Sequence, residues 1–158
     1  MASVREVPMA TIELRTPAFN DHGPIPDRHA KGHGDRSPAL EWSGVPEGTA
    51  ELAILCEDPD APGGTFTHWV LAGLDPALTG LAEGTVPKGA VEGRNDYGGI
   101  GYGGPQPPKG DPAHRYFFRV FAASAPLGLR RGCSADDLRR ALEGKELASG
   151  VVVGIYQR

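Results

Sequence analysis

The chain has 158 residues, 39% apolar and 23% charged, with 16 Lys+Arg against 20 Asp+Glu and a formal net charge of −4. That length suits one domain, 1–158, and the acidic balance argues against the basic footprint of a nucleic-acid binder. The 23 Gly and 15 Pro residues interrupt helices, which excludes a helical bundle and favours a loop-rich β fold.

The opening stretch MASVREVPMATIEL has no charged region followed by an apolar core, so no secretory signal is read there. No apolar run approaches the roughly 18 residues that span a bilayer. Residues 11–19 alternate loosely and predict a first strand ending at Pro17. Residues 20–39 form a polar Gly/Pro-rich stretch, too long for a structureless connection, and read as an ordered covering or functional loop. Residues 50–56 (AELAILC) predict a strand covered on both faces, followed by the turn-rich EDPDAPGG. Residues 66–74 (FTHWVLAGL) predict a second buried strand. Residues 75–113 hold many glycines and prolines and few periodic apolar positions. Residues 114–123 (HRYFFRVFAA) carry aromatic and β-branched side chains on both faces, the strongest strand pattern in the chain.

One helix is predicted, over 134–142. Ser134 is its N-cap, Asp137 stands in the capping-box position, and Gly144 suits the residue beyond the C-terminus. Leu138, Ala141 and Leu142 share one face. Residues 151–156 predict a closing strand. These elements give an all-β core with one or two peripheral helices. Cys56 and Cys133 are too few for a disulfide scaffold. They read as reduced thiols in a cytoplasmic protein, with Cys56 a core residue.

Two textual motifs fail on context. Gly99-x-Gly101-x-x-Gly104 matches a dinucleotide fingerprint, but Pro105, Pro107 and Pro108 cannot open the helix it requires. Gly103 to Lys109 resembles a phosphate-binding loop only loosely, since Pro108 replaces its second glycine. His29 and His33 stand four apart, but Gly32 and Gly34 spoil a helix, so both read as solvated loop residues rather than metal ligands.

A set of polar residues in apolar surroundings carries more. Asp58 and Asp60 flank Pro59 directly after a buried strand. Turn chemistry alone accounts for such a pair. His68 lies in the next strand, on a face that alternation shares with Phe66 and Val70. His114 opens the aromatic strand, on a face with Tyr116, Phe118 and Val120. A half-buried imidazole needs a partner for each nitrogen, and a carboxylate can hold one while the other faces a cavity. Two such rings and the amides of residues 98–110 would make a small anion site, with Pro105, Pro107 and Pro108 stiffening the loop.

Five segments are distinctive together: SPALEWSGVPEGT (37–49), DPDAPGGTFTHWV (58–70), GYGGPQPPKG (101–110), HRYFFRVFA (114–122) and VGIYQR (153–158). In this order and spacing they resemble the phosphatidylethanolamine-binding protein family in its bacterial Raf-kinase-inhibitor-like branch. The resemblance implies a β-sandwich of two antiparallel sheets and a surface pocket for phosphate-like or carboxylate anions. It assigns Asp58, Asp60, His68, Gly104, Pro105, Gln106, Pro107, Pro108 and His114 to that pocket, and a cis bond to Pro62. No metal or organic cofactor belongs to the pattern. Relatives usually carry cysteine where Gln106 and Lys31 stand, and the acidic residue before DPDAP is kept as Glu57.

The resulting expectation is a protein that binds a small anion and modulates a kinase or other signalling partner. It carries no nucleic-acid or stable membrane binding, and a homodimer stays open. One alternative is an acid–base enzyme using His68, His114, Asp58 and Asp60. Another is a protease or kinase inhibitor acting through a surface loop.

Overall fold

A computed structural model describes residues 10–158. Four long strands form its centre: β5 (Glu51–Asp58), β6 (Phe66–Leu74), β9 (His114–Ala123) and β10 (Glu146–Tyr156). They pair antiparallel in the order β10-β9-β5-β6, and short β8 (Val91–Glu92) extends the sheet beyond β6. At the other edge β1 (Ala10–Thr11) and β3 (Gly23–Pro24) pair parallel with β10. A second sheet holds β2 (Glu13–Arg15), β4 (Leu40–Ser43) and β7 (Gly80–Leu81) in the order β2-β4-β7.

The two sheets enclose the main core. Leu14, Leu40, Trp42 and Leu81 of the small sheet meet Ile54, Cys56, Trp69, Leu71, Phe118, Val120 and Val152 of the large one. This is the β-sandwich expected, with parallel pairing confined to the edge. The outer face of the large sheet is covered by α1 (Ala135–Leu142), whose Leu138 and Leu142 pack on Leu55, Val70, Ala72 and Phe121. The capping box of α1 is complete: Asp137 N–H donates to Ser134 Oγ at 3.0 Å, and Ser134 N–H donates to Asp137 Oδ2 at 2.9 Å. Gly144 takes φ +74° just past the helix, where a side chain would be strained.

Several expectations need correction. The strand read over 11–19 is two short strands in different sheets, and buried Ile12 is the corner between them. The closing strand starts at Glu146 rather than Val151, because β9 offers partners along its whole length. LEWS (40–43) is a strand whose four residues are too few for periodicity to show. No peptide bond among the described residues is cis, Pro62 included. His29 is fully buried rather than solvated. It ends a 3₁₀ turn (Asp27–His29), and its Nδ1–H donates to the Arg36 carbonyl at 2.8 Å.

Candidate functional site

Alternation fails at two places in β6, once between Leu71 and Leu74 and once at His68, and the second failure builds the site. Cys56 faces Trp69 across the β5–β6 ladder, but the next residue, Glu57, faces Thr67. His68 is therefore the extra residue of a β-bulge. Past the bulge the faces exchange: Trp69 enters the inter-sheet core and Val70 packs under the helix. His68 stays with Phe66, as read from the sequence, but is separated from Val70. Its ring centre lies 4.8 Å from that of Phe66, tilted, and 5.1 Å from that of Tyr116 on β9, edge to face.

The DPDAP turn fixes Asp58 at the end of β5. Its Oδ1 accepts from the Asp60 N–H at 2.7 Å, and its Oδ2 meets His114 Nδ1 at 2.7 Å. The other nitrogen of His114, Nε2, meets Asp111 Oδ2 at 3.1 Å. Both ring nitrogens face carboxylate oxygens, which only a doubly protonated ring can satisfy. Burial pushes the His114 pKa down, but hydrogen bonds and charge from Asp58 and Asp111 outweigh it, and the net shift is upward. His68 goes the other way. Desolvation lowers its pKa more than its hydrogen bond to the Gly103 carbonyl raises it.

The loop across the cleft is pinned from beneath by residues 27–36. Gly104 N–H donates to Asp35 Oδ1 at 2.7 Å, and Lys31 N–H donates to the Pro105 carbonyl at 3.0 Å. A Cβ on Gly104 would collide with the His29 carbonyl, so this approach requires glycine. The Lys31–Pro105 bond places Lys31 beside the chain neighbour of Gln106. Lys31 Nζ also lies 4.6 Å from the centre of the Tyr97 ring.

A cleft of about 190 Å³ results, lined by Asp58, Ala61, Pro62, Phe66, His68, Tyr97, Gln106, Pro107, Pro108, His114 and Tyr116. Asp58, His68, Gln106 and His114 are brought together as the sequence implied. Asp60, Gly104 and Pro105 lie outside the lining. Asp60 instead accepts two hydrogen bonds from the Arg115 guanidinium at 2.8 and 2.9 Å, which hold its pKa down to about 2. Gly104 uses its carbonyl to receive the Tyr97 hydroxyl at 2.7 Å. Phe66, Tyr97 and Tyr116 supply an aromatic wall. The Tyr116 hydroxyl is buried with no hydrogen-bond partner among the described residues. Tyr97 and Asp111 were missed by sequence reasoning; the position of Asp111 three residues before His114 was the available signal.

Glu57 and Thr67 are chain neighbours of Asp58 and His68 but point to the opposite face. There Glu57 accepts from Arg139 Nη1 at 2.7 Å and lies 3.6 Å from Arg119. Among the described residues no cluster of three or more His, Cys, Asp or Glu side chains is placed to hold a metal ion.

Comparison with known proteins matches residues 15–157 to the phosphatidylethanolamine-binding protein family. The chain belongs to that family. A UPF0098 protein of Methanothermobacter thermautotrophicus is 45% identical over 152 residues, covering 93% of this chain and 99% of that one. The crystal structure of Escherichia coli YbcL, a member of the phosphatidylethanolamine-binding protein family, superposes with a TM-score of 0.89 at 31% identity. It covers 94% of this chain and 99% of that one. A Chlamydia trachomatis homologue, CT736, gives a TM-score of 0.87 at 34% identity, covering 94% and 98%. The family's DPDxP, THW and HRY segments are the ones that meet at the cleft.

Proposed function

We propose that this protein binds a small phosphate-like or carboxylate anion in the cleft between His68 and His114. One observation carries the reading: a clamped, positively charged His114 and a second buried histidine flank the same aromatic-walled cavity. Gln106 adds an amide at its mouth, and the unpartnered Tyr116 hydroxyl is a donor awaiting an acceptor. Binding is favoured over turnover because, among the described residues, no activated nucleophile adjoins the cleft. Cys56 is buried, and burial followed by the charges of Glu57 and Asp58 pushes its thiol well up.

The same reading takes 1–158 as one domain whose partners are the anion itself and a protein such as a kinase, with a homodimer left open. It places the chain in the cytoplasm, away from nucleic acid and without stable membrane attachment. No helix among the described residues is long and apolar enough to cross a membrane. A relative in Mycobacterium tuberculosis, 33% identical over 146 residues, carries the name lipoprotein LppC, so cell fractionation is the check on compartment.

Calorimetric titration with methyl phosphate tests the pocket. His68→Ala and His114→Ala should each weaken binding about tenfold or more, the worth of one charge-assisted hydrogen bond. Exposed His33, mutated to Ala, should leave affinity unchanged. Equal losses in all three variants would refute the assignment. Sedimentation of most of the protein with anionic vesicles at physiological salt would refute the membrane part.

A further inference from the structure

We propose that anion binding in this cleft is coupled to uptake of one proton, held at Nε2 of His68. The inference rests on the anion-binding reading above and adds how its affinity is regulated. The argument begins with a hydrogen bond. His68 Nδ1 lies 2.7 Å from the Gly103 carbonyl oxygen, which can only accept. Nδ1 therefore carries the hydrogen, and in the neutral ring Nε2 presents a lone pair. The ring's side-chain hydrogen bond is made through Nδ1, the Gly104 backbone adds a further contribution favouring a charged ring, and the ring lines the cleft. The Gly103 N–H closes the arrangement by donating to the His68 carbonyl at 2.9 Å, which fixes the Gly103 carbonyl against the bulge; a ring flip would forfeit the Nδ1 hydrogen bond.

An anionic oxygen placed against that lone pair would be repelled. The contact becomes favourable only when a proton stands between the two atoms. It comes from hydronium or the buffer acid, whose bond to the proton breaks as the N–H bond forms at Nε2, the electron pair staying on the donor's conjugate base. The surroundings accommodate the new charge. Asp58 from β5 and Asp96 from the turn after β8 both favour a positive ring. Tyr97 and Tyr116 pack against it with their hydroxyls protonated. His114 from β9 opposes it, but its own charge is already balanced by Asp58 and Asp111. The empty cleft thus favours a neutral His68, and the occupied cleft a charged one. The ligand class is a phosphate monoester dianion, whose charge compensates most fully for the added proton.

Protons are counted by titrating methyl phosphate into the full chain at about pH 8 in buffers of different ionisation enthalpy. Uptake of about one proton per site is expected, with affinity falling about tenfold per pH unit in that range. Dimethyl phosphate, the diester analogue of a lipid headgroup, is the second arm. It cannot hold a proton itself, so it should bind more weakly with the same uptake. His68→Gln keeps a side-chain N–H and should bind with uptake near zero. Ring nitrogen NMR of the unmodified chain gives an independent readout, since Nε2 of His68 should change from lone-pair to N–H character on adding ligand.

Binding without proton uptake would overturn the inference and leave the anion reading standing. Uptake with the monoester but not the diester would place the proton on the ligand and overturn it too. Uptake that persists in His68→Gln would assign the proton to another group. Absence of binding by either phosphate would remove the anion reading and this inference together.

Discussion

Glu57-Asp58 and Thr67-His68 are two pairs of chain neighbours that divide between opposite faces of the same two strands. On the helix side the polar groups form a closed set. Glu57 is held by Arg139 and Arg119, the Thr67 N–H donates to Asp96 at 2.7 Å, and Ser134 and Asp137 cap each other. On the cleft side the set is open. His114 and Asp58 are satisfied, but the Tyr116 hydroxyl has no partner among the described residues, and His68, whose Nδ1 is held by Gly103, lines the cavity. A closed buried network fixes the position of a helix. An open one costs stability and is retained where a ligand can complete it.

The closed side should break hardest. Glu57 is only 7% exposed in its side chain, whereas Arg139 is 48% exposed. Arg139→Ala would leave a buried carboxylate with only the longer Arg119 contact, a loss of about 2–4 kcal/mol in denaturant unfolding. Glu57→Gln would release a half-exposed guanidinium to water and should cost about 1 kcal/mol. Neither should change methyl phosphate affinity by more than about twofold, since Glu57 and Arg139 share no side-chain partner with the cleft on the opposite face. A tenfold affinity loss in Arg139→Ala would show that the faces are not independent.

The open side should respond in the opposite sense. Tyr116→Phe removes a buried hydroxyl that has no partner, so the variant should be as stable as the parent or up to about 1 kcal/mol more stable. If that hydroxyl serves the ligand, the same change should weaken methyl phosphate binding about tenfold, a hydrogen bond to a charged group. A stability loss would mean that the hydroxyl has a structural partner. Unchanged affinity would remove it from the site.

The two faces differ as much in how legible they were. The long strands were visible because aromatic and β-branched runs bounded by Gly and Pro specify them locally, and the Ser134–Asp137 box is a local pattern as well. The family segments brought Asp58, His68, Gln106 and His114 to one cleft. Non-local geometry was hidden. The bulge at His68 reverses alternation by one residue, which no period-two reading can anticipate. Asp60 read as a cleft residue, yet its oxygens are taken by Arg115 across the turn. Asp111 and Tyr97 sat in a stretch with no periodicity. His29 read as solvated because its neighbours are polar, while its ring is buried beneath the loop that carries Gly104.

The smallest expected effect concerns how the open side is charged. His114 has a folded pKa above its ordinary value, after burial is outweighed by Asp58 and Asp111. A raised folded pKa contributes stability that is fully present below about pH 6.5, the unfolded value, and is lost as pH rises through the folded value. Asp111→Asn keeps an acceptor for Nε2 but removes one of the two charges, so the folded pKa should fall toward the ordinary one. Asp111 is 35% exposed in its side chain, and solvent screening limits the loss to about 0.5–1 kcal/mol near pH 5.5. The parent and variant curves should converge in alkali, once His114 is neutral in both. His68 works with the opposite sign, its lowered pKa penalising the folded state below about pH 6.5, but it does so equally in both proteins and cancels in the difference. Asp60 does not intrude, because its term is lost only as pH falls from the ordinary carboxylate range toward about 2. Unfolding free energies of the two proteins across this range test the account. A difference that stays constant with pH would mean that Asp111 supports the turn rather than the charge on His114.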